Sequence, residues 1–239
     1  EPTMQNESRK SFHQELEEIR EDITHLGSMA SERVTQATEA LFETNLEDAQ
    51  RIIDEDDEVD ALALEIEEKC QSVLLLQNPV AGDLRAVISA LWIVGELERS
   101  ADLASNICKA NRRILGYEIP SSTKAYLVLM SDEAVRLLNL AVDAYYQNNE
   151  GLARALEDID DRLDGLHIDF LEGLFKDAEG GSGEVQPVVQ MALIGRYYER
   201  IGDHAVNIGE RVSYMVSGRL PEDTGRARSE YKEKKSKEE

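Results

Sequence analysis

Apolar residues recur at a three-four spacing along almost the whole chain, and that pattern leaves few folds open. Leu16, Ile19, Ile23, Leu26, Ala30, Val34, Ala37 and Leu41 form one such stripe, which predicts a first helix over roughly 10–44. Asn45 is a good N-cap for a second helix over roughly 46–77. Asn78-Pro79 breaks the chain, and Pro79 suits the opening turn of a third helix running to about Leu115. "GYEIPSS" then makes a turn, with Ser121 or Ser122 as the cap of a fourth helix over roughly 123–147. "NN" at 148–149 caps a fifth that ends near Lys176, and "GGSG" at 180–183 reads as a flexible loop before a sixth over roughly 184–217. No segment sustains a period of two, so no sheet is expected.

The six segments divide as three plus three, because the chain repeats itself. "ELERSADLASNI" at 96–107 returns as "YYERIGDHAVNI" at 197–208. Glu98 recurs as Glu199, Arg99 as Arg200, Asp102 as Asp203, Asn106 as Asn207 and Ile107 as Ile208. Upstream, Asn45 recurs as Asn149, and Asp56, Asp57 and Asp60 recur as Asp160, Asp161 and Asp164. The predicted architecture is all-α: a tandem repeat of two three-helix bundles built from six long antiparallel helices. Residues 11–116 form the first repeat, 121–217 the second, and 218–239 a charged tail predicted to be disordered.

Charge narrows the function. Asp and Glu total 49 against 26 Lys and Arg, a net charge of −23. A surface this acidic repels phosphate backbones, so no nucleic-acid binding is expected; it suits cations and basic partners. The longest apolar run is about ten residues, half of what a membrane-spanning helix needs. A cytoplasmic protein is expected, one that meets a membrane only through its partners. Cys70 and Cys108 sit inside helical segments with no CxxC spacing, which predicts buried, reduced thiols.

The repeated phrase also carries the chemistry. Leu84, Val87, Ile88, Leu91 and Gly95 lead along one helical stripe to Glu98 and Asp102; Val185, Val188, Val189, Ala192 and Gly195 lead likewise to Glu199 and Asp203. Side chains four apart stack on the same face. Asp56 with Asp60, and Asp160 with Asp164, are further pairs at that spacing on the preceding helices. Where those helices pack, four carboxylates converge in each repeat. Such a patch costs several kcal/mol per buried ion unless Arg, protons or a hard cation compensates. A single ExxxD on an acidic helix is usually just a solvated face. Repetition in both halves, on the stripe that leads to the core, favours metal. Arg99 and Arg200 are alternative counterions across the bundle, and Asn106 and Asn207 are auxiliary oxygen ligands or inter-helix hydrogen bonders. His167 and His204 read as structural or surface histidines. The sequence offers no Walker motif, nucleophile elbow or GxGxxG, and no general base, so no enzyme is expected.

"DLRAVISALWIVGELERSADLASNI" and "YYERIGDHAVNIGERV", each behind a helix carrying DxxxD, resemble the PhoU family of phosphate-uptake regulators. The first copy departs from the family's usual ERIGD by reading ERSAD. The resemblance implies that Asp56, Asp60, Glu98 and Asp102 form one multinuclear metal site and Asp160, Asp164, Glu199 and Asp203 another, for iron, zinc, manganese or magnesium. It implies a non-catalytic negative regulator of phosphate uptake and of the phosphate-starvation response. The implied partners are the ATPase subunit of the phosphate ABC transporter and a sensor histidine kinase, with a homodimer left open.

Overall fold

The computed structural model describes residues 2–43, 45–179 and 185–219. The predicted GGSG loop and all but the first two residues of the predicted tail lie outside them. Every element among the described residues is helical: α1 (Pro2–Glu43), α2 (Leu46–Asp54), α3 (Asp56–Gln77), α4 (Gly82–Arg113), α5 (Ser121–Tyr146), α6 (Glu150–Glu179) and α7 (Val185–Ser217).

Side-chain caps open two of the helices. Asn45 accepts from the backbone N–H groups of Glu47 and Asp48, both at 3.1 Å, so it opens α2 as its sequence position predicts. Asn149 opens α6 by accepting from the Leu152 N–H at 3.0 Å. Four boundaries differ from expectation, the first being that α1 already begins at Pro2 and not near residue 10. The predicted second helix is two, broken at Glu55. Pro79 lies in the link between α3 and α4, and α4 starts only at Gly82, because Asn78 ends α3 in the left-handed conformation (φ 46°) and Ala81 also has positive φ (49°). The serines do not cap α5: Ser121 is already helical, Pro120 holds the cap position, and the Ser122 hydroxyl donates to Asp177.

The two repeats share one core. α1, α4, α5 and α7 sit at the centre, with α2 and α3 packed outside α1 and α4, and α6 outside α5 and α7. α4 and α7, the third helices of the two repeats, form the most extensive pair and run antiparallel. Arg85 reaches the Met215 carbonyl, Ser89 the Arg211 carbonyl, and Glu96 the His204 ring. α1 and α5 pair in the same sense, through Ser31 with Asn139 and Thr38 with Ser131. The inner helices are apolar on more than one face. Ile23, Val34, Leu97, Ile107, Leu137, Ile194 and Ile208 are all fully buried, and this lets two three-helix units merge. Thr38 accepts from both Ser131 (2.8 Å) and Tyr198 (2.7 Å) while donating to the Val34 carbonyl, tying α1, α5 and α7 together inside the core. Both cysteines are buried and unpaired, their thiols pushed up to about 12 by burial and nearby carboxylates; they are inert core residues.

Candidate functional site

The first cluster depends on the break at Glu55. A helix end leaves carbonyls without partners. At the end of α2 a buried arginine from α1 supplies them: Arg33 is 5% exposed and donates to the carbonyls of Ile52 (3.0 Å) and Glu55 (2.6 Å). The chain then restarts as α3 with Asp56, Asp57 and Glu58 in its first turn, where the helix dipole favours negative charge. Asp56 and Asp60 thus stand one turn apart, facing Glu98 and Asp102 on α4. Burial raises the proton affinity of Asp60, Glu98 and Asp102, and the carboxylates raise it further: Asp56 and Asp57 act on Asp60, Asp102 and Asp60 on Glu98, and Asp56 and Asp60 on Asp102. Asp60 and Asp102 thus link Asp56 to Glu98 through a chain of neighbouring carboxylates, and Glu67 adds to the field at Glu98.

The second cluster sits in the uninterrupted middle of α6, against α7. Asp160 is only 7% exposed and its carboxyl is pushed up to about 7, by burial first and then by Asp164, Asp203, Glu199 and Asp161. Asp164 and Glu199 are raised by burial and then by Asp203. What admits Asp160 is Gly202: a Cβ there would collide with the Asp160 carboxylate and with Leu163. Gly195 and Gly209 are the same kind of contact one heptad away in each direction, against Phe170 and the Ala153 carbonyl. The seam of α6 with α7 is closely packed because of this glycine series. Arg196 pairs with Glu199 from within α7.

Each of the eight sequence-predicted acids thus lies in its predicted group of four. Their setting differs from expectation in one respect. The stripe they continue is the border of the core, not its middle: Leu84, Val185 and Val189 are 36%, 72% and 46% exposed. The fully buried line of α4 runs instead through Val87, Ala90, Val94, Leu97 and Ala101. The carboxylates line the seams with α3 and α6, where water still reaches some of their oxygens.

These side chains suit cations. The Oδ1 atoms of Asp56 and Asp160 and the Oε2 atom of Glu199 are buried with no hydrogen-bond donor, a costly state for a carboxylate oxygen that a proton or a metal ion relieves. The donors are all oxygen in the first cluster, as hard cations prefer. Among the described residues no three His, Cys, Asp or Glu side chains already stand in place to hold an ion.

Arg196 offsets charge in the second cluster, but neither Arg99 nor Arg200, the counterions the sequence offers, makes an ion pair with a cluster carboxylate. Arg99 turns to Glu96 at 2.6 Å, within α4, and Arg200 is exposed. Glu96 was missed by sequence reasoning. It is buried at the contact of α4 with α7, where His204 Nδ1 (2.6 Å) and Asn207 (3.3 Å) reach it. Burial pushes its carboxyl up, but His204, Arg99 and Asn207 outweigh that and leave it below the ordinary range. His204 is accordingly a structural histidine, as read from its spacing. Arg33 was also missed, since no local pattern marks an arginine that caps a helix elsewhere in the chain. Gly202 was legible in principle, through the seven-residue spacing of Gly195, Gly202 and Gly209.

Comparison with known proteins adds identity to this geometry. The PhoU domain model matches twice, over residues 23–110 and 127–212. The phosphate-specific transport system accessory protein PhoU homolog 1 of Mycobacterium tuberculosis is 35% identical over 214 residues, covering 89% of this chain and 96% of that protein. The crystal structure of PhoU from Pseudomonas aeruginosa superposes with a TM-score of 0.81 at 27% identity, over 87% of this chain and 100% of that one. The phosphate transport system regulatory protein PhoU of Streptococcus pneumoniae gives the same TM-score at 25% identity, over 87% and 98%. The chain belongs to the PhoU family, and carries its domain in tandem.

Proposed function

We propose that this protein is a cytoplasmic negative regulator of phosphate uptake and of the phosphate-starvation response. It would act without catalysis, as a metal-binding adaptor between the ATPase subunit of a phosphate ABC transporter and a sensor histidine kinase. Family membership supports the phosphate-transport role, since relatives matched over most of this chain are named accessory or regulatory proteins of that system. The observation that carries the metal-binding part is the pair of four-carboxylate seams with buried, partnerless oxygens.

Asp56, Asp60, Glu98 and Asp102 would hold ions at the seam of α3 with α4, and Asp160, Asp164, Glu199 and Asp203 at the seam of α6 with α7. Iron, zinc, manganese or magnesium, when bound, would supply the positive charge that offsets the mutual repulsion of each group. The residues' own part is to fix the outer helices, α3 and α6, against the inner pair, α4 and α7. A net charge of −23 gives the surface a field that draws basic partner surfaces and steers their approach. No helix among the described residues is long and apolar enough to cross a membrane, so access to the transporter is assigned to docking.

Two measurements test this. Deleting the gene should derepress phosphate uptake and alkaline phosphatase in phosphate-rich medium; unchanged levels would refute the regulatory role. Elemental analysis of protein purified without chelators should find metal, and the Glu98→Gln, Glu199→Gln double variant should lose it. Equal metal in both proteins would refute the clusters as metal sites.

A further inference from the structure

The two seams are not chemically equivalent, and the difference is a histidine. Three residues after Asp164, on the same face of α6, stands His167. Three residues after Asp60, at the matching place in α3, stands the buried Ala63. The His167 ring lies in the seam with α7, its Cδ2 atom 3.5 Å from where a Cβ on Gly195 would be, one turn before Glu199. Its Nε2 is buried and has no hydrogen-bond partner. Asp160 in the same seam is more than nine-tenths buried and likewise has a partnerless oxygen. Two kinds of unsatisfied donor atom, one nitrogen and one oxygen, thus occur in one seam. The first seam has instead Glu67 near Glu98, and no histidine acts on the carboxylates of Asp60, Glu98 or Asp102.

We propose that His167 is a nitrogen ligand of the second cluster, so that this cluster selects a borderline transition-metal ion such as Zn²⁺, Co²⁺ or Fe²⁺, while the all-oxygen first cluster takes hard cations such as Mg²⁺. The inference rests on the reading of the carboxylate seams as metal sites. Imidazole binds through its neutral form and favours later first-row metals over alkaline earths. Burial and then the neighbouring Arg196 hold His167 below the ordinary histidine range, against the pull of Asp164, which favours that neutral form near pH 7. One chain would then carry two sites of different metal preference on a single pair of inner helices.

The test uses the full chain, freed of metal and titrated with Zn²⁺ or Mg²⁺ by calorimetry. Wild type is compared with His167→Gln and with the Asp160→Asn, Asp203→Asn double variant, each checked for fold by circular dichroism. Proton–nitrogen spectra of the histidine rings in wild type supply a second readout that needs no variant. The expected result is a loss of Zn²⁺ affinity of about ten-fold or more at the second site in His167→Gln, comparable to the loss of a metal-site partner, with Mg²⁺ binding unchanged. The His167 Nε2 resonance of wild type should move to a metal-bound position on adding Zn²⁺. If the carboxylate double variant loses a Zn²⁺ site that His167→Gln keeps in full, and the Nε2 resonance does not move, the inference is overturned while the metal reading stands. If wild type binds no Zn²⁺ that the double variant lacks, both fall.

Discussion

One carboxylate group opens a helix and the other lies inside one, although the two come from copies of the same motif. In the first repeat α2 ends at Asp54, Arg33 takes up its last carbonyls, and Asp56 begins α3. In the second, α6 runs unbroken from Glu150 to Glu179, with Asp160 in its middle. The facing helices differ too. α7 presents Gly195, Gly202 and Gly209 to α6, while α4 has Val94, Ala101 and Cys108 at the matching places. Glycine lets α6 come close and buries Asp160. The matching position in the first repeat carries a methyl, on the buried Ala101, and Asp56 stays intermediate in exposure. A duplicated motif therefore fixes which acids meet, and the residues between them set how deeply those acids are buried.

The comparison breaks first at Arg33. Replacing it by Met leaves the carbonyls of Ile52 and Glu55 unpartnered at the end of α2. It should cost about 3 kcal/mol of stability, measured by urea unfolding, and should lower metal affinity at the first cluster while sparing the second. Equal losses at both clusters would show that the break at Glu55 is not what positions Asp56.

Exchanging the seam residues sharpens the comparison at somewhat smaller cost. Gly202→Ala forces a methyl against Asp160 and Leu163 and should destabilise by about 2 kcal/mol, the range of core overpacking. Ala101→Gly loses helix propensity without a collision and should cost about 1 kcal/mol. The opposite ranking in denaturant melts would remove the glycine series as the origin of the difference.

A pH dependence tests the depth of the second seam directly. The Asp160 carboxyl is raised in the folded protein from the ordinary 3.8 to about 7, first by burial and then by Asp164, Asp203, Glu199 and Asp161. The folded state therefore binds its proton more tightly than the unfolded chain. The contribution is fully present below about 4 and is lost as pH rises towards 7. Metal-free wild type should thus lose stability relative to Asp160→Asn across that window, and the gap should then stay constant above it. A gap independent of pH between 4 and 7 would contradict the burial of this carboxylate.

Helix content, the duplication and the grouping of the eight acids were legible because they depend on short periods. Residues three and four apart share a face whatever the tertiary fold, and Asn45 and Asn149 cap the helices that follow them through local bonds. Pro79 and Ser121 misled for the converse reason. Each is compatible with a helix start, and the left-handed Asn78 and the placement of Pro120 shifted the real one. Glu96 was illegible: its meaning lies in His204, 108 residues away in the chain.

The sequence by itself determined an all-helical tandem repeat and which carboxylates would face one another, since both follow from side-chain spacing along single helices. Tertiary structure alone decided that the two repeats share one core, that Arg33 ends α2, and that one seam is deep and the other shallow. Those outcomes depend on how closely two helices distant in sequence approach, a distance set by the bulk of the side chains between them.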